Sequence, residues 1–106
     1  MESKEAFEKI IAQLTESHDA IEGKLFGKTV VKFGKKAGIA LYNDDIVFKL
    51  AMNSDERDEA LSLEGSILWD PSGKGKAMKE WIQVPLIHED KFESFAIYAA
   101  NYVLSQ

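Results

Sequence analysis

Apolar residues fall at three- and four-residue steps through the first part of the chain: Phe7, Ile10, Ile11, Leu14 and Ile21, with Leu25 beyond them. That period is the stripe of an amphipathic helix over residues 3–22, with Ser3 as N-cap and Gly23 as its stop. The period then changes to two. Thr29, Val31 and Phe33 alternate with Val30 and Lys32, which predicts a half-buried strand. Ala37–Tyr42 and Ile46–Met52 read as further strands. The polar turns Gly34–Lys35–Lys36 and Asn43–Asp44–Asp45 join the three runs as an antiparallel meander.

Asn53 is the expected N-cap of a short helix running to about Leu61, with Glu56 as its capping-box partner. Ser66–Trp69 reads as a fourth strand. Asp70–Pro71–Ser72–Gly73 has the residues of a type I turn. Lys74–Glu80 reads as a loop or a single helical turn, and Trp81–Val84 as a fifth strand closed by Pro85. The last helix is expected over about His88–Leu104, with Phe92, Phe95, Ala96, Ala99, Ala100 and Val103 as its apolar stripe. Its alanines allow close approach to a sheet or a second helix. The predicted order is α-β(3)-α-β(2)-α. Helices that punctuate an antiparallel sheet argue an α+β, two-layer architecture: a five-stranded antiparallel sheet with helices on one face.

The chain has 106 residues, 45% of them hydrophobic and 29% charged, which suits one domain over 1–106. It contains no cysteine, so disulfides, a thiolate nucleophile and cysteine-ligated metal are excluded. The net charge of −5 argues against a globally basic nucleic-acid binder. Glu2, Glu5 and Glu8 make the start acidic, which is unlike a secretory signal, and no apolar run approaches the ~18 residues of a membrane span. A cytoplasmic location with no membrane association is the expectation.

Two basic segments change this picture locally. Lys24, Lys28, Lys32, Lys35 and Lys36 fall in a stretch without acids, and Lys74, Lys76 and Lys79 form a second group. Together they suit phosphate or nucleic acid if they converge. Solvated strand and turn positions, balanced by the acidic helices, are the favoured explanation, and strand alternation scatters the lysines over two faces. The Ser72–Gly73–Lys74–Gly75–Lys76 stretch is not a phosphate loop, because Leu68 stands where the first glycine belongs and Gly75 where Ser or Thr belongs. Gly65–Ser66–Ile67 lacks the glycine that a nucleophile elbow needs after its serine. His18 lies near Asp19 and Glu22, and His88 near Glu89 and Asp90; either would need a carboxylate at hydrogen-bond distance in a pocket to act as a base. No cofactor, metal or catalytic residue is expected. Trp69 and Trp81 flank the glycine-lysine loop. They form either a cross-strand pair that stabilises the sheet or an exposed aromatic surface beside Lys74 and Lys76.

The chain resembles the N-terminal domain of the TfoX/Sxy bacterial competence regulators, within a wider YjbR-like group. The residues that carry the resemblance are Lys24–Leu25–Phe26–Gly27, Gly38–Ile39–Ala40–Leu41, Val47–Phe48–Lys49–Leu50, Gly65, Trp69–Asp70–Pro71–Ser72–Gly73, Met78, Trp81, Val84–Pro85 and the helix from Phe92 to Ala100. The resemblance implies a secretion-chaperone-like fold and a non-enzymatic regulatory module. Full-length family members carry a second, helical domain, whereas Gln106 follows directly on the last predicted helix. The expected function is therefore a regulatory or protein-interaction module with a protein partner or self-association, acting through Trp69, Lys74, Lys76, Trp81, Lys35 and Lys36. The alternative is a nucleic-acid or anionic-ligand binder using Lys24–Lys36 and Lys74–Lys79.

Overall fold

The computed structural model describes residues 3–25, 27–75 and 77–106. Helix α1 spans Ser3–His18 and buries Phe7, Ile10 and Leu14 of the expected stripe, together with Ala6, while Ile11 is half-buried. It is shorter than its period suggests. Asp19 takes the left-handed conformation (φ 55°), which a short polar side chain tolerates, and the chain leaves the helix there. The next segment, β1 (Ala20–Leu25), pairs with β2 (Lys28–Phe33) from Ala20 opposite Phe33 to Leu25 opposite Lys28. Ile21 and Gly23 therefore belong to a strand, and the sheet has six strands where the pattern predicted five.

The remaining elements are β3 (Lys36–Tyr42), β4 (Asp45–Lys49), α2 (Asp55–Ser62), β5 (Ile67–Trp69), β6 (Met78–Pro85), a 3-10 segment at Leu86–Lys91, and α3 (Phe92–Leu104). The sheet order is β1-β2-β3-β4-β6-β5, antiparallel throughout. The result is an α+β molecule in which the meander has four strands. Other boundaries moved as well: β4 ends at Lys49 where Met52 was expected, and β6 begins at Met78, inside the stretch expected as a loop, where Trp81 was expected. Asn53 adopts φ 67°, so the cap of α2 is Ser54, whose Oγ accepts from the Arg57 N–H at 3.1 Å. The 3-10 segment takes up the first residues expected of the last helix, His88 among them.

Alternation divides the sheet residues into two sets. Val31, Phe33, Ile39, Ile46, Phe48, Ile82 and Val84 share a core with the stripes of α1 and α3 and with Ala60 of α2. Phe48 sits beneath α3, with ring centroids 5.4 Å from Phe92 and 5.6 Å from Phe95. Val30, Ala40 and Val47 point the other way and are equally buried, in a second core with Trp69 and Trp81. The indole of Trp69 reaches the Tyr42 ring at 5.6 Å. Tyr42 and Trp69 stand on strands separated by β4 and β6, about 14 Å apart on a flat sheet. The right-handed twist makes this face concave along that diagonal, and the aromatic side chains fill the hollow.

Candidate functional site

Trp69 and Trp81 form the cross-strand pair, with centroids 5.4 Å apart and planes at 54°. Trp69 is 0% and Trp81 8% exposed, so the aromatic pair is core rather than a surface offered to solvent. The Trp69 Nε1–H has no acceptor among the described residues.

Lys74 is exposed in the loop after β5, and Lys76 lies outside the described residues. That loop is organised by Asp70. Its carboxylate accepts from Ser72 Oγ at 2.8 Å, from Gly73 N–H at 3.1 Å and from Gly75 N–H at 2.7 Å. The Ser72 hydroxyl foremost holds Asp70 below its ordinary pKa; burial works the other way, and the N–H groups of Gly75, Gly73 and Ser72 together with that hydroxyl outweigh it. The predicted turn is present, closed by Gly73 N–H on the Asp70 carbonyl at 3.2 Å.

Lys35 and Lys36 are exposed at the β2–β3 turn. The register places that turn and the β5–β6 loop at the same end of the sheet, with β4 between them. Lys28 is at the opposite end, with Nζ 5.2 Å from the centre of the Tyr42 ring. Lys24 donates to Thr29 Oγ1 at 2.8 Å. Lys35, Lys36 and Lys74 thus share one end, and the earlier lysines scatter along β1 and β2.

Among the described residues, the hydrogen-bond partners of the two histidines are a hydroxyl, an amide oxygen and a backbone carbonyl. Among the described residues there is no group of three or more His, Asp or Glu suited to a metal ion. His88 Nε2 lies 2.8 Å from the Glu64 carbonyl and ties the 3-10 segment to the α2–β5 connection. His18 Nε2 lies 2.9 Å from Asn101 Oδ1, and its Nδ1 lies 2.6 Å from Ser17 Oγ. The amide oxygen can only accept, so His18 Nε2–H donates to it, while Ser17 Oγ also reaches the Gln13 carbonyl at 3.3 Å. Serine, imidazole and amide oxygen follow in the order of a nucleophilic relay. They stand, however, at the C-terminal end of α1, whose negative dipole end opposes a developing oxyanion.

A groove begins beside that chain of bonds. It runs between α1 and the 3-10 segment with α3. The two helices point the same way, since Ala6 lies near Phe92 at one end and His18 meets Asn101 at the other. The larger part, about 350 Å³, is lined by Lys9, Gln13, Glu89, Asp90 and Glu93 over Ala6, Ile10 and Phe92. A smaller part of about 200 Å³ shares Gln13 and Glu93 with it and reaches Ser17, His18 and the exposed Ile97. Its floor is apolar, and its rim carries the acids Glu89, Asp90 and Glu93 together with Lys9 and the polar Gln13, Ser17 and His18. No single-residue signal marks these positions in the sequence. They become a groove only because α1 and α3 are neighbours.

A second cluster, centred on Glu80, was likewise hidden. Leu68 pairs with Ile82, but Trp69 pairs with Met78, so residues 79–81 have no partner on β5. The freed stretch turns to other elements. Glu80 accepts from Met52 N–H at 3.0 Å and from the Tyr102 hydroxyl at 2.8 Å, while the Lys79 carbonyl accepts from Arg57 Nε at 2.9 Å. Partial burial works to raise the Glu80 pKa. The Met52 N–H, the Tyr102 hydroxyl and the charges of Lys49 and Arg57 outweigh it and hold the carboxyl below its ordinary value. Partial burial and the same bond push Tyr102 up. This cluster knits β6 to α2 and α3 and is structural.

No helix among the described residues is long and apolar enough to cross a membrane. Comparison of the chain with models of known protein families, with curated proteins and with solved structures returns no match in any of the three.

Proposed function

We propose that the protein is a non-enzymatic cytoplasmic interaction module, similar in kind to the N-terminal domain of the TfoX regulators, that receives a segment of a protein partner between α1 and α3. The observation that supports this is the groove itself. Its apolar floor, flanked by Gln13, Glu89, Asp90 and Glu93, suits an amphipathic helix with basic flanks. The helix-terminal setting of Ser17 and His18 supports binding over catalysis.

The shared position of Lys35, Lys36 and Lys74 favours a second reading, an anionic ligand at that end of the sheet. One titration separates the two. Isotope-labelled protein is titrated with an amphipathic Lys/Arg-bearing peptide and, separately, with a short DNA duplex. Peptide-induced amide shifts at Gln13, Glu93 and Ile97, abolished by Glu93→Lys, are expected. Shifts confined to Lys35, Lys36 and Lys74 with DNA, vanishing steeply with salt, would replace the first reading by the second.

A further inference from the structure

The sheet ends differently at its two edges. The β5 edge is a strand of only three residues that runs into the Asp70 loop. The β1 edge offers six residues, Ala20–Leu25, without proline, and no strand lies beside it among the described residues. An open edge of that length is a template for another strand. Its side chains show what fits it. Ala20, Glu22 and Lys24 point to the helix side, and Ile21, Gly23 and Leu25 to the other. Glu22 and Lys24 are exposed, so the helical layer does not cover this half of the strand. Ile21 is 61% exposed although strongly apolar.

We infer that β1 pairs with β1 of a second copy, antiparallel about a two-fold axis at Gly23, to form a homodimer with one continuous sheet. An axis normal to the sheet keeps both helical layers on the same side and opposes residues on like faces. With Gly23 opposite the partner's Gly23, Glu22 meets the partner's Lys24 on one face, and Ile21 meets the partner's Leu25 on the other. Each contact occurs twice. The neighbouring permitted registers fail by the same arithmetic. A shift one way opposes Glu22 to the partner's Glu22, and a shift the other way opposes Lys24 to the partner's Lys24. Both also separate Ile21 from Leu25. Opposed unlike charges and apolar pairs stabilise a sheet, while like charges destabilise it, so the strand is complementary to itself in one register only. One group works against the pairing. The Lys32 stem lies across Gly23 and brings one ammonium per copy toward the axis. This inference is independent of the groove reading, since it uses another surface.

Sedimentation equilibrium over a wide concentration range tests it. The expected result is a species of twice 11.9 kDa. Glu22→Lys and Lys24→Glu, each placing like charges opposite, should each weaken dimerisation roughly tenfold. The double exchange should restore it, and Lys32→Gln should tighten it. All three positions lie outside the buried core, and circular dichroism verifies folding of each variant. A protein monomeric throughout, or a dimer in which the double exchange is no better than the single variants, would overturn the proposal.

Discussion

At the scale of the residue, Glu80 shows how one ladder irregularity recruits a side chain. Its carboxylate is held by a backbone N–H and a phenol, with two cations nearby. Because its folded pKa lies below the ordinary value of 4.5, the ionised form stabilises the fold above that value, and the contribution is lost as pH falls through the lowered folded pKa. Glu80→Gln should therefore cost about 1 kcal/mol at neutral pH, a charged hydrogen bond discounted for solvent screening. The difference from wild type should shrink in acid. Urea unfolding of both proteins at neutral and acidic pH reads this directly. A difference that does not change with pH would rule out the charge as its source.

At the scale of the element, α3 docks on β3 through the absence of a side chain. A Cβ on Gly38 would lie 3.1 Å from the Phe33 ring and 3.4 Å from the Ala99 carbonyl oxygen. Phe33 is itself buried, so its ring would have to shift within the core to make room. Gly38→Ala is expected to destabilise by about 1–3 kcal/mol in a denaturant titration, and a neutral result would show that the helix can shift at little cost. The alanine stripe of α3 made this close approach legible in advance, as strand alternation made β2, β3 and β4 legible. β1 was not legible, because Ile21 and Leu25 continue the helical spacing from Leu14 and only the left-handed turn at Asp19 breaks it. The cap of α2 was ambiguous for a similar reason. Asn53 and Ser54 both cap helices, and the positive φ at Asn53 left the role to Ser54. The candidate groove was illegible in a stronger sense. Its rim residues are ordinary helix-surface positions, and tertiary pairing alone gives them meaning.

At the scale of the whole molecule, the sheet covers its second face with its own aromatics. Val30, Ala40 and Val47 would otherwise meet water, and the diagonal hollow is closed by Trp69, Trp81 and Tyr42. Trp69→Ala should cost about 3–5 kcal/mol. Trp69→Phe should cost much less, because it retains most of the ring while removing an N–H that has no described acceptor. Equal losses for the two variants, measured by denaturant midpoint, would show that the indole nitrogen is in fact satisfied. The aromatic pair has one more consequence. Two indoles 5.4 Å apart and inclined at 54° share their electronic excitations. The molecule therefore carries an unlabelled optical gauge: a split circular-dichroism band of the coupled chromophores that reports whether β5 lies against β6, separately from the signal of the helices.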